Sequence, residues 1–282
     1  MLSGETAACK YRFTVRHPCG IEFSDAFVTI LRDLGYTVAD TRTAISTRRT
    51  LRSSLRPRAP SIWTNSSPSV PISYDGMNPM LPLESLFGQI DIYFFDQLLR
   101  GRIIPGMCIF DAGCGNGRNL VYLLREGYDV FGVDADPQAV AATRALAASL
   151  APGLPPDNFR AEPVEDTSFP DGFADVVISS AVLHFARDDA HFDSMLHGTW
   201  RVLKPGGLFF CRLASSIGIE GQVHQVAGRR FVLPDSSERY LVTEERLLVL
   251  ANQLGGQFLD PLKTTVVQNQ RAMTTWVMRR IG

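Results

Sequence analysis

MCIFDAGCGNGRN at residues 107–119 and YDVFGVDADP at residues 128–137 decide how this chain folds. A short apolar run ends in Asp111, and a glycine loop (Gly113, Gly115, Gly117) follows at once. A helical pattern comes next, then a second apolar run, Tyr128 to Val133, that ends in Asp134. This is a strand–loop–helix–strand unit with a carboxylate at the tip of each strand. Glycine permits φ > 0 and close backbone approach, so a unit of this kind grips a nucleoside.

The alternation continues outward. Strands are expected at 107–111, 128–133, 158–162, 174–179 and 207–213, with helical stretches at 117–126, 136–150 and 188–203. Val176-Val177-Ile178 and Leu208-Phe209-Phe210 are continuous apolar runs, as central strands buried on both faces require. Strands alternating with helices imply a parallel sheet with right-handed crossovers. Upstream, the apolar positions from Leu83 to Leu99 predict one amphipathic helix closed by Gly101. Downstream, a helix over 243–254 leads to two runs, 262–267 and 273–278, joined by a turn at 269–271. Runs so close together must pair antiparallel, because a parallel return needs a crossover of a dozen or more residues.

The loop also discriminates between cofactors. A dinucleotide site spaces its glycines GxGxxG and sets the pyrophosphate on a helix N-terminus. Here the third glycine comes one residue early and position 118 is Arg. Asp111 stands two residues before the first glycine, where its carboxylate would point at the ligand. That charge is a poor neighbour for a pyrophosphate and a good one for a cationic ligand such as S-adenosylmethionine. Asp134, 19 residues after Gly115, is placed to accept from both ribose hydroxyls.

DAGCGNG (111–117), GVDADP (132–137), FADVVISS (173–180) and LKPGGLFF (203–210) resemble, in order, the successive motifs of class I S-adenosylmethionine-dependent methyltransferases of the small-molecule type. The resemblance covers roughly residues 83–282. It implies an α/β Rossmann-like fold, with a seven-stranded, mostly parallel sheet of order 3-2-1-4-5-7-6, the last strand antiparallel and helices on both faces. It assigns Asp111, Gly113, Gly115, Asn116 and Gly117 to the cofactor's methionine end and the loop around it. Asp134 goes to the ribose and Ala135 to packing beside the adenine. The adenine edge falls to the segment Glu162–Asp166, where Pro163 stands in place of a common acid, so the acid is Glu165 or Glu162; Val164 (through its backbone) and Glu165 are favoured. Ser179 and Ser180 end the fourth strand and face the cleft between cofactor and acceptor.

His184, just past the fourth strand, is the one well-placed candidate for a general base. A histidine there can equally pack on the helix start or bond a carbonyl. Phe87, Tyr93, Phe94, Phe185 and Tyr240 are candidates for lining an acceptor pocket, as core residues or as a lid. Residues 214–242 lie where substrate-recognition elements are commonly inserted, and Arg229 and Arg230 are candidate anion donors.

Composition bounds the rest. The 282 residues are 45% hydrophobic and 20% charged with net charge −1, an ordinary globular balance. Residues 1–76 carry ten Lys or Arg against six Asp or Glu, and Thr41 to Ser73 has no acid. This Ser/Thr/Arg/Pro-rich leader is expected to be a disordered extension, a modest helical stretch at 21–39 apart, and the domain to span 77–282, starting near Met77 or Met80. Five scattered cysteines (Cys9, Cys19, Cys108, Cys114, Cys211) form no metal spacing and suggest a reducing compartment. No run approaches the ~20 apolar residues of a membrane span, and nothing in the acidic folded part suggests specific nucleic-acid binding. The expectation is a cytoplasmic enzyme acting on a small molecule. A nicotinamide-dependent oxidoreductase and a non-catalytic adenosylmethionine-binding protein are the alternatives.

Overall fold

A computed structural model describes residues 83–282. The expected disorder of 1–76, the stretch at 21–39 and the start near Met77 or Met80 lie outside the described residues. The expected alternation is present. β1 (Cys108–Ala112), β2 (Asp129–Asp134), β3 (Phe159–Ala161) and β4 (Ala174–Ser180) run parallel, with β1 between β2 and β4. β5 (Leu203–Ser215) lies parallel to β4. It opens at Leu203, bulges through Lys204–Gly207, and rejoins the ladder at Leu208 opposite Val176.

β11 (Arg271–Arg280) pairs antiparallel with β5 on one side and with β10 (Lys263–Val267) on the other. β9 (Gly256–Phe258) pairs with the far end of β11, from Met278 to Arg280, so the expected sixth strand arrives as two pieces on one edge. The order 3-2-1-4-5-11-10 is therefore the expected one, with its antiparallel closing strand. The hairpin turn holds Gln268 and Asn269 at φ 47° and 57°.

Two apolar layers cover the sheet. On one face α5 (Asp189–Arg201) and α6 (Glu244–Gln253) bury Phe192, Leu196, Trp200 and Leu247 against Phe110, Val177, Phe209 and Trp276. On the other, α3 (Val121–Arg125) and α4 (Pro137–Leu150) bury Leu123, Leu124 and Val140 against Ile109, Val176 and Ile178. Capping fits the sequence: Asp136, Asp188 and Thr243 accept from N–H groups in the first turns of α4, α5 and α6.

Three elements differ from expectation. The single helix from Leu83 is two, α1 (Leu83–Phe87) and α2 (Ile92–Leu99). Gly88, at φ 59°, closes the first, and Asp91 caps the second by accepting the Tyr93 N–H. Apolar periodicity runs through this break because both short helices pack on the same side. The helix after the glycine loop starts only at Val121, because Gly117 to Leu120 are spent on the turn. Finally, β6 (His224–Ala227), β7 (Arg230–Val232) and β8 (Glu238–Tyr240) form a separate antiparallel sheet, within the segment flagged as an insertion.

Candidate cofactor and active site

The glycine loop is fastened from three directions. Gly113 and Cys114 N–H groups both donate to the Val133 carbonyl at 2.8 and 2.9 Å. Gly115 N–H donates to Asp134 Oδ2 at 2.9 Å, and the Thr143 hydroxyl of α4 donates to the Gly115 carbonyl at 2.7 Å. The other Asp134 oxygen accepts the Asp136 N–H. Each oxygen keeps a second lone pair, so Asp134 holds the loop to β2 and still presents acceptors beside it. Asn116 and Ala135 are exposed on either side.

All three glycines have positive φ, at 88°, 56° and 78°, but their surroundings differ. A Cβ on Gly113 would sit 2.3 Å from Val182 Cγ2, and one on Gly117 would sit 2.7 Å from Leu146 Cδ2. At Gly115 nothing lies within 4 Å of that position. Gly113 and Gly117 are therefore glycines for packing, and Gly115 lies against open space that a ligand can fill. Gly115→Ala is expected to leave a folded protein with a strain of about 1–2 kcal/mol while weakening nucleoside binding more than tenfold. Gly113→Ala is expected to fail mainly in folding. Thermal melts alongside calorimetric titration separate the two.

Asp111 is the buried carboxylate beside this loop. It is 2% exposed, and its Oδ1 is buried without a hydrogen-bond partner. Burial pushes its carboxyl up to about 8, against the pull of the Arg118 guanidinium, with Asp134 adding to the rise. A buried carboxylate oxygen with no donor is costly unless a ligand supplies one. The cationic methionine end of adenosylmethionine is a donor of the right charge, and the open side of Gly115 gives it room. The residues present fit that cofactor.

β4 ends in Ser179 and Ser180, both buried. Ser179 Oγ has no partner. Ser180 Oγ accepts from Arg118 at 2.9 Å and donates to Asp91 Oδ2 at 3.4 Å. Ala181 then turns the chain out at φ 66°, its N–H on the Arg212 carbonyl. This non-glycine residue in left-handed conformation aims Val182 at Gly113. Sequence reasoning missed Asp91 and Arg212. Arg212 donates to Asp91 Oδ2 at 3.0 Å, across 121 positions of chain, and Asn119 accepts the Asp91 N–H. The carboxylate thereby ties α2 to the tips of β4 and β5.

His184 is 5% exposed, and its Nδ1 accepts the buried Ala214 N–H at 3.2 Å. In the neutral ring the proton then sits on Nε2. Burial lowers its pKa to about 4, with the Arg239 cation adding to the shift. With its lone pair engaged, the ring here is a donor. A histidine held below its ordinary value of 6.5 stabilises the fold above that pH, and the contribution is lost as pH falls from 6.5 towards 4. His184→Ala is expected to lose about 1–3 kcal/mol at pH 7 by orphaning the Ala214 N–H. Its stability should also fall less steeply between pH 7 and 5 than wild type, as urea unfolding at both pH values would report.

The segment expected at the adenine edge forms a 3-10 turn at Val164–Asp166, packed on α5. Val164 is buried, and Glu165 Oε1 lies 3.0 Å from His191 Nε2 of α5. The structure thus draws the Glu165 side chain to that helix. Glu162 is consumed by Thr167 and Ser168. Of the aromatic candidates, Phe94 and Tyr240 are core residues, Phe94 edge-on to Phe210 and Tyr240 stacked on Phe192, while Phe185 is 59% exposed. Arg229 and Arg230 pair with Asp189 and Glu238. A depression of about 390 Å³ beside Asp189, Arg229, Phe231 and Thr243 opens between the small sheet and the starts of α5 and α6.

A family model described as a methyltransferase domain matches residues 110–211, the span from the end of β1 to β5. Over that span the chain is similar to methyltransferase domains. The chain is 36% identical over 107 residues to an uncharacterized methyltransferase of Synechocystis, an alignment covering 38% of this chain and 47% of the relative. It is 32% identical over 135 residues to the ubiquinone biosynthesis O-methyltransferase of Cereibacter sphaeroides, covering 48% and 52%. The chain spans about half the length of the curated relatives it matches. Among solved structures, the chain is similar in fold to the 1,6-didemethyltoxoflavin-N1-methyltransferase of Burkholderia thailandensis, at TM-score 0.53 and 19% identity, covering 70% of this chain and 80% of that one. A protein from Pyrococcus horikoshii gives TM-score 0.54 at 20% identity over 67% and 89%. Those likenesses carry the fold alone.

Proposed function

We propose that this protein transfers a methyl group from S-adenosylmethionine to a small-molecule acceptor. The single observation that carries the reading is Asp111, a buried carboxylate with an unpartnered oxygen at the mouth of the glycine loop. When bound, the cofactor supplies an activated methyl on a sulfonium, and transfer is an in-line displacement in which sulfur keeps the electron pair. The chain's part is alignment and exclusion of water. Asp111 takes the ammonium, and Arg118, fixed on Ser180 at 2.9 Å, stands beside it for the carboxylate. Gly115 lets the backbone close on the methionine moiety, with Asn116 at the loop tip.

Asp134 accepts from the ribose through its free lone pairs, and Ala135 lies beside the adenine. The adenine edge is met by the Val164 backbone, with Glu165 reaching it only by leaving His191. Ser179 and Ser180 border the acceptor. His184, with Nδ1 on Ala214, braces β5 behind them and removes no proton in this arrangement. An acceptor that must lose a proton gives it to water or to a second group on the acceptor. The curated relatives, one of them an O-methyltransferase of ubiquinone biosynthesis, support a small-molecule acceptor over a nucleic acid.

We further place the protein in the cytoplasm. Cys108, Cys114 and Cys211 are free thiols, and burial raises all three pKa values, Cys108 to about 11. Such thiols suit a reducing compartment. No helix among the described residues is long and apolar enough to cross a membrane. The test is incubation with labelled adenosylmethionine and a panel of small hydroxy, amino and thiol compounds. Labelled product and adenosylhomocysteine in equal amounts are expected. Tight cofactor binding with no turnover across the panel would favour a non-catalytic binding protein instead.

A further inference from the structure

A row of polar side chains crosses the apolar face next to the proposed cofactor cleft. Ser180, Arg212, Thr275 and Lys263 are successive register partners on β4, β5, β11 and β10. Directly opposed residues in a sheet point to the same face, so these four form one line. Its neighbours one step below are apolar: Ile178, Phe210 and Val277 are fully or nearly fully buried. Tyr93 of α2 stands over the line, with Arg212 Cζ 5.3 Å and Lys263 Nζ 5.6 Å from its ring centre. Its hydroxyl is fixed on Thr265 Oγ1.

This row has unspent donors. Asp91 takes one terminal nitrogen of Arg212, but Arg212 Nε is buried with no acceptor. Thr275, 4% exposed, has a buried Oγ1 with no partner. Among the described residues, Lys263 has no carboxylate within salt-bridge distance. The proposed function gives both Asp111 and Arg118 to the cofactor, which leaves two cations (Arg212, Lys263) to one carboxylate, Asp91. A buried N–H and O–H left unpaired side by side, with surplus positive charge, are donors of the kind an anion accepts from. The row is open to solvent at its Lys263 end and through the one-fifth exposed Arg212 side chain.

We infer that the methyl acceptor carries an anionic group, a carboxylate or a phosphate, which seats on Arg212, Thr275 and Lys263 beneath Tyr93. This rests on the methyltransferase reading for the word acceptor. The anion seat itself is defined by the row and is testable with or without cofactor. Arg212 acts through its unused Nε–H, Thr275 donates its hydroxyl, and Lys263 adds charge at the rim. Ser180 at the other end links the seat to Arg118, so an anion held here lies on the cofactor's side of the sheet.

The test is an NMR-detected titration of the full chain with benzoate, phenyl phosphate and the neutral isostere benzamide, each with and without adenosylhomocysteine. One of the two anions is expected to bind at least tenfold tighter than benzamide, and which one does so separates carboxylate from phosphate. Thr275→Val is expected to weaken that anion about tenfold, the loss of one hydrogen bond to a charged group, while its melting temperature stays level or rises because an unsatisfied buried hydroxyl is gone. Lys263→Gln should weaken it roughly threefold or more, in line with a partly screened charge, and neither variant should alter adenosylhomocysteine affinity. Anions no tighter than benzamide, or variants that bind them like wild type, overturn the seat. Adenosylhomocysteine failing to bind wild type, with the anion effects intact, would overturn the cofactor reading and leave the seat standing.

Discussion

Asp111→Asn is expected to weaken adenosylhomocysteine binding by about 10–100-fold, the loss of a charge-assisted hydrogen bond in a buried site. The same substitution should make the free protein more stable at pH 8. The reason is one geometry read twice. Asp111 Oδ1 is buried with no donor, so the folded chain holds its proton up to about pH 8. A carboxyl whose folded value lies above its ordinary 3.8 favours the fold at low pH, and that contribution is lost as pH climbs from about 4 to about 8. Asparagine has no proton to lose, so its stability curve should be flatter over that range. A cationic ligand reverses the preference, since an ammonium beside Asp111 favours the ionised form. Binding near pH 6.5 should therefore release a proton from wild type and none from the variant. Titration calorimetry in buffers of different ionisation enthalpy reads this directly.

Gly198→Ala should lower the melting temperature by about 4–8 °C, corresponding to roughly 2 kcal/mol in a fold of this size. Within a helix, alanine for glycine ordinarily stabilises by about 1 kcal/mol, so the expected sign is opposite to the local rule. The new Cβ would lie 2.4 Å from the Val164 carbonyl oxygen and 2.7 Å from Glu165 Cα. Those are backbone atoms, which cannot rotate aside, and overpacking of that kind outweighs the helix gain. Because α5 must back away from the 164–166 turn, the Glu165–His191 pair should break and the adenine end of the cofactor should loosen. A tenfold or greater loss of adenosylhomocysteine affinity is expected beside the drop in stability. Gly153→Ala, where nothing lies within 4 Å, is the control and should change neither.

The central sheet was readable because its strands are short apolar runs alternating with helical stretches, and the hairpin because its loop is too short for a crossover. The glycine loop was readable for a local reason: Asp111, Gly113, Gly115 and Asp134 lie within 24 positions of one another. What sequence could not show depends on distant pairing. Asp91 and Arg212 are 121 residues apart, and neither position has a local signature. Ala181 adopts φ 66° where a sequence reader would look for glycine. Glu165 is claimed by His191, 26 residues away, and the His184 lone pair by the Ala214 N–H, 30 away. Residue type suggested a base at position 184, whereas the identity of its partner makes it a donor. The break between α1 and α2 was hidden because both keep their apolar sides on one surface.

The measurement that bears most directly on the account is calorimetric titration of the chain with adenosylhomocysteine and, separately, with NAD at pH 8. Saturable binding of adenosylhomocysteine that falls on Asp111→Asn, with no binding of NAD, is the predicted result. Tighter binding of NAD, or adenosylhomocysteine affinity indifferent to Asp111, would contradict it.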